Sequence, residues 1–162
     1  MQKFSRAVFL SALALCLLQA AYYYPLLPDR VASHFGSSGR PDAWSGKSSF
    51  VGLYLVVIGI VAFLLPMIGA RLSKVPDSRI NLPNKDYCLS PERRQETLDV
   101  LSRYFLWLAT ATLLLMLDVF HQAFRVHLGK SESLGHPVLS IAIYAAFAIL
   151  WSIRLIAKFS RK

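Results

Sequence analysis

The chain has little of what soluble enzymes and disulfide-stapled domains are built from. Charged residues make up 17% of its 162 positions, and only nine are acidic. Cysteine occurs twice, as Cys16 in an apolar block and Cys88 in a polar stretch. That argues against a disulfide framework and offers no metal-ligand spacing. Nucleophile elbow, zinc-protease helix and phosphate-cradling loop are all missing, so the expected protein is not an enzyme and carries no cofactor. Internal repeats and low-complexity runs are absent too.

What the chain does have is hydrocarbon. Hydrophobic residues make up 55% of it and the mean hydropathy is +0.45. They are gathered in four blocks, at about 7–27, 50–70, 104–124 and 138–157, and are not spread as core-facing stripes. Each block holds about 20 residues, enough in helical form to cover a hydrocarbon layer about 30 Å thick. Inside lipid every backbone amide must be satisfied within its own segment, so each block should be helical. The expected fold is all-α: an integral membrane protein forming a four-transmembrane-helix bundle, a single membrane domain over 1–162. A motif-bearing outward loop (28–49) and a cytoplasmic segment with an amphipathic helix (71–103) complete it. The first block is expected to be retained as a span, because Leu18-Gln19-Ala20-Ala21-Tyr22 makes a poor signal-cleavage site.

The net charge of +9 raises the question of nucleic acid. The basic residues, however, flank the apolar blocks and do not alternate with exposed aromatics, so they read as topology-setting charge and no nucleic-acid partner is expected. Two Lys or Arg precede the first block, seven lie between the second and third, and four follow from Arg154 to Lys162. The alternate connections hold three and two. The richer side should be cytoplasmic, which places both termini inside a bacterial cell (inner) membrane and the 28–49 and 125–137 connections outside. Tyr22, Tyr23, Tyr24 and Trp44 fall near the expected outer boundary, and Tyr104, Trp107 and Trp151 near the inner one.

Within the cytoplasmic segment, Val75-Pro76-Asp77 through Leu82-Pro83-Asn84 is turn-rich. Ser90-Pro91-Glu92 then reads as a helix start: hydroxyl, proline at the first position, acid in the first turn. The helix so begun, with Leu98, Leu101 and Phe105 on one side, either lies on the inner surface or runs into the third span.

The outward loop carries the most specific pattern. It reads Leu27-Pro28-Asp29, Val31, His34-Phe35, Gly39, Pro41-Asp42, Trp44 and Lys47, between the first two apolar blocks. This ordered spacing resembles a membrane family of unknown function, best represented by the N-terminal part of the sporulation-delay toxin immunity protein (SdpI-like). The resemblance covers about the first 70 residues and implies a helix–loop–helix unit. It does not extend to 104–162, so toxin immunity is not carried over with it. Read as residues, Pro28 and Pro41 stiffen the loop while Gly36 and Gly39 permit turns. Asp29, His34, Phe35, Asp42, Trp44 and Lys47 are the candidate binding residues. They compete with a plainer reading in which the loop is a folded cap satisfying itself. One histidine with two carboxylates lacks any diagnostic metal spacing.

Inside the third block, Asp118, His121 and Arg125 share a helical face. Asp118 lies about 22 Å along the helix from its inner end. An ionised carboxylate at that depth costs about 2.5–3.5 kcal/mol, so it should face the bundle and find a partner. His121, Arg125, Arg30 and Lys47 are the candidates, with Gln19 at similar depth. Gly52 and Gly59, and the four-residue series Ser140, Tyr144, Ala148 and Ser152, are the expected helix-packing positions. The functional expectation is a binding, sensing or immunity-like membrane protein acting through its outer loop. Its partners would be the lipid bilayer and either a peptide or another membrane protein, and a homo-oligomer is compatible. The alternative is a small transporter or channel-like oligomer that uses Asp118 and His121.

Overall fold

A computed structural model describes residues 2–160; Arg161 and Lys162, counted above among the topology charges, lie outside the described residues. Four helices are long and apolar enough to cross a membrane. They are α1 (Gln2–Tyr23), α2 (Lys47–Arg71), α4 (Arg94–His127) and α5 (Pro137–Ser160), with a one-turn α3 (Lys85–Cys88) before α4. Helix α1 passes into a 3-10 turn at Tyr24–Leu26, where Pro25 lacks the N–H that would continue the ladder. Pro137 stands at the first position of α5, where its missing N–H costs nothing.

One expectation changes and one open alternative is resolved. The chain is not all-α: the loop after α1 folds into an antiparallel hairpin of β1 (Arg30–Phe35) and β2 (Pro41–Gly46). Its register shifts between Ala32 and His34, so Ser33 has no partner across the ladder and the alternation that would reveal a strand is blurred. Residues 94–103, in turn, form no separate surface helix. They are the first turns of α4, which runs unbroken for 34 residues.

Helix α4 is the spine. It packs against α1 and α2 on one side and α5 on the other. Its contact with α1, α2 and the hairpin holds the main core, where Cys16, Tyr54, Ile58, Leu113 and Phe124 are at most 1% exposed. The rings there are stacked: Tyr54 on Phe120 at 4.0 Å and Tyr23 on Phe124 at 4.5 Å between centroids. Helix α2 lies close against α4 at Gly69, where an added Cβ would lie 3.0 Å from the Ser102 Cα. The Ser102 hydroxyl donates to the Gly69 carbonyl at 2.7 Å across this contact. Gly52 and Gly59, expected to pack, face open space; they lie on the wrong side of α2.

A smaller cluster closes the end of the bundle away from the hairpin, with Ile80, Cys88, Leu98 and Leu101 gathered around Phe159. Asn84, in a left-handed conformation, donates its side-chain amide to the carbonyls of Phe159 and Ser160 at 3.1 and 3.0 Å. Those terminal carbonyls have no partner within the helix, so the 72–93 segment serves as the C-terminal cap of α5.

Candidate functional site

The hairpin is braced at its root, its underside and its tip. At its root Lys47 Nζ meets Asp29 Oδ1 at 3.0 Å, and the Lys47 N–H donates to the Asp29 carbonyl, so the strand ends are clamped where α2 begins. From below, His127 Nε2 contacts the Ala32 carbonyl at 3.1 Å, while the imidazole ring stacks near Phe35 and meets Phe50 edge-on. Near the turn, His34 Nδ1 and Asp42 Oδ1 lie 2.5 Å apart. Gly39, at φ +74°, accepts the Leu134 N–H at 2.9 Å, and a Cβ there would sit 3.2 Å from the Leu134 carbonyl. Arg40 faces Glu132 at 3.6 Å on the same connection. The 128–136 loop is thereby tied to the hairpin tip.

The candidate loop residues thus divide. Asp29, Lys47 and Phe35 are used in holding the hairpin on the bundle. His34 and Asp42 bond each other yet remain 69% and 51% exposed. Trp44 is 53% exposed, while Ala32 opposite it is fully buried. A large apolar ring held outward on a braced strand can insert into an interface or a partner's pocket. Among the described residues, no group of three or more His, Cys, Asp or Glu is placed to hold a metal ion.

The three polar residues of α4 do not form one site. Asp118 turns to α5: the Ser140 hydroxyl donates to it at 2.5 Å and the Gln122 amide at 2.8 Å, with His136 Nε2 at 3.8 Å. Gln122 Oε1 accepts the backbone N–H of His136. The carboxylate therefore sits against the first turn of α5, whose unpaired amides and dipole favour an anion. His121 turns instead to α1 and meets the Tyr23 hydroxyl at 3.3 Å. Arg125 is exposed and makes no side-chain hydrogen bond or ion pair among the described residues. The expected partners of Asp118, namely His121, Arg125, Arg30 and Lys47, are replaced by Gln122 one turn along α4 and by groups from α5 and its leading loop. Helical spacing identified the shared face of α4 but not the helix that would cover it.

Sequence reasoning missed a second polar relay. The Tyr54 hydroxyl donates to Gln19 Oε1 at 2.7 Å, and Gln19 Nε2 donates to the Leu117 carbonyl at 2.9 Å, linking α2, α1 and α4. Gln19 at the depth of Asp118 was the only signal for it. The Ser140–Tyr144–Ser152 series, by contrast, faces α4 as its spacing required. Tyr144 bonds Thr112 at 2.9 Å and Ser152 bonds Tyr104 at 2.7 Å, below the Ser140–Asp118 contact.

Asp118 also borders two grooves. One, of about 520 Å³, runs between α4 and α5 past Leu114 and Tyr144. The other, also about 520 Å³, lies between α1 and α4 and reaches His121. With a side chain 41% exposed, Asp118 can be approached from the flank of the bundle.

A family described as Domain of unknown function (DUF1648) matches residues 12–60. That stretch covers the second half of α1, the hairpin and the first half of α2. No curated protein and no solved structure matches the chain. Over those residues the chain is similar to an uncharacterised domain family, and its four apolar helices are consistent with a multi-pass membrane protein.

Proposed function

We propose that this chain is a non-enzymatic receptor-like protein of the bacterial cell membrane that recognises a peptide or another membrane protein through its hairpin. Both termini are cytoplasmic and the hairpin faces outward, a reading supported by the bias of Lys and Arg toward the opposite end. The observation that carries it is Trp44: a tryptophan 53% exposed on a strand braced at root, underside and tip. Preorganised aromatic anchors of this kind lose little entropy on binding. The exposed His34–Asp42 pair beside it supplies polar specificity. The motif's resemblance to the sporulation-delay immunity family makes toxin immunity one form such recognition can take.

The test is crosslinking capture from native membranes with wild-type, Trp44→Ala, Asp42→Asn and Asp118→Asn chains. Trp44→Ala and Asp42→Asn should lose the partner while Asp118→Asn keeps it. An unchanged set of crosslinked partners in Trp44→Ala would sink the proposal.

A second reading rests on the accessibility of Asp118 from two grooves. It makes the chain a small transporter or channel-like oligomer in which Asp118 and His121 handle an ion. Flux into liposomes that Asp118→Asn abolishes would favour it, and absence of flux under any imposed gradient would remove it.

A further inference from the structure

At the end of the bundle away from the hairpin, α1, α4 and α5 leave between them a lateral groove of about 810 Å³. It continues into the groove below Asp118, since Trp107 and Phe147 line both. Its walls are apolar and aromatic, with Phe4 from α1, Trp107 from α4 and Trp151 from α5. Its mouth is basic: Arg103 from α4, with Arg154 and Lys158 one turn apart on α5.

No carboxylate lines this groove. None of the three cations makes a hydrogen bond or ion pair with any described residue. Glu96 borders an adjoining pocket together with Lys158 but forms no ion pair with it. Like charges at four-residue spacing on a helix repel, so the arrangement is unfavourable until an anion arrives. The buried indole N–H of Trp151, on the same wall, has no acceptor among the described residues.

A slot that is apolar along its length and cationic at one end matches an amphiphile with an acyl chain and an anionic head. Basic pockets between membrane helices at the headgroup level are the sites where such lipids are held. The level is right as well. Arg103 lies about 22 Å below Asp118 along α4, which puts the cations near one face of the hydrocarbon layer. We propose that the α1–α4–α5 groove is a binding site for an anionic phospholipid, with Arg103, Arg154 and Lys158 around the phosphate and an acyl chain along Trp107 and Phe147. This site is remote from the hairpin and does not depend on the reading given to Trp44.

The three tryptophans of the chain make the test direct, because two line the groove and the third can be removed. Full-length Trp44→Phe protein is placed in phosphatidylcholine bilayers, into which phosphatidylglycerol or phosphatidylcholine with brominated acyl chains is titrated. Bromine quenches only on contact. Brominated phosphatidylglycerol should quench Trp107 and Trp151 at much lower mole fraction than brominated phosphatidylcholine. The preference should fall about fivefold for each of Arg103→Gln, Arg154→Gln and Lys158→Gln. Arg71→Gln, at the same end but on α2, should leave it unchanged.

Equal quenching by the two lipids overturns the proposal. So does an equal loss in Arg71→Gln, which means diffuse surface attraction only. Absence of quenching by either lipid would mean that a protein helix fills the groove, and overturns it too. The variants are read separately, so the result stands even if one of them fails to fold.

Discussion

Helices α2 and α5 are both apolar enough to span a bilayer, yet they are held in different ways. Helix α2 buries Phe50, Val51, Tyr54, Ile58 and Gly69. In α5 the single fully buried residue is Phe159, at the very end, and most of its apolar surface is open, with Trp151 and Leu155 partly covered. A lipid surrounding, which four helices of this length and hydropathy fit, would let both coexist. Apolar side chains gain nothing by leaving hydrocarbon for a protein core, so packing there rests on close contact and on polar groups that avoid lipid. Helix α2 uses the first route, with a stacked aromatic core and a glycine laid against α4. Helix α5 uses the second, with a polar ladder at Ser140, Tyr144 and Ser152 and a cap from Asn84.

The strongest way to break this comparison is to hollow out the packed half. Phe124 is fully buried and touches the rings of Tyr23, Phe50 and Tyr54. Phe124→Ala should destabilise the protein by about 3–5 kcal/mol in detergent-titration unfolding. Ile149→Ala, on the open face of α5 where Ile149 is 59% exposed, should stay within about 0.5 kcal/mol. Similar losses at the two sites would show that α5 is covered by something in the membrane.

A sharper contrast lies within α2 itself. Gly69→Ala drives a methyl to 3.0 Å from the Ser102 Cα, with backbone on both sides, and should cost about 1–3 kcal/mol. Gly59→Ala meets nothing within 4 Å and should be neutral or stabilising by up to about 1 kcal/mol through helix propensity. Thermal unfolding of the pair separates a packing glycine from an incidental one.

These two glycines also mark what the sequence made legible. Length and hydropathy identify four helices because lipid imposes a requirement on every residue of a span. They do not say which face of α2 meets α4, since an all-apolar helix has no polar side to orient it. The hairpin was hidden for another reason. Its strands are six residues each, lack a regular alternation of polar and apolar residues, and slip register at Ser33, so prolines and glycines read as a stiff loop. The loop motif itself was visible, and so was the four-residue polar series on α5, because polar groups in an apolar helix are few and must find partners. Of the partners of Asp118, Gln122 stands at the four-residue spacing of a helix and was overlooked, whereas those from α5 were not visible. Sequence spacing reports neighbours along α4, and Ser140 and His136 arrive from an element 18 or more residues away.

The polar ladder predicts a smaller effect than the core does. Ser140→Ala removes the hydroxyl donor to Asp118 and should cost about 0.6 kcal/mol, at most about 1.7. In a cycle with Asp118→Asn the two losses should be non-additive, since the groups bond each other. Fluorescence transfer between labels at the hairpin end of α5 and on α1 would report loosening of α5 while the α1–α2–α4 core stays intact. Additive losses would mean that Gln122 and the α5 N-terminus, and not Ser140, hold the carboxylate.

The smallest effect concerns the root of α4, on which both halves depend. Glu92 precedes the first turn, and its own backbone N–H, then the Ser90 hydroxyl, hold its carboxyl below the usual value of 4.5. A carboxyl whose pKa is lowered by folding stabilises the fold above its unfolded value and loses that contribution as pH falls through the folded one. Glu92→Gln should therefore weaken the protein slightly at neutral pH and match wild type once the pH has fallen through the lowered folded-state value. Ser90→Ala, which leaves the backbone N–H in place, should show a fraction of the same pH-dependent loss. Because Glu92 is fully exposed, the difference should be small and shrink with salt. It should lower the stability of α4 without altering the label distance between α5 and α1, which sets it apart from Ser140→Ala. A gap between Glu92→Gln and wild type that widens on acidification would reverse the assigned sign and remove the carboxylate from the start of α4.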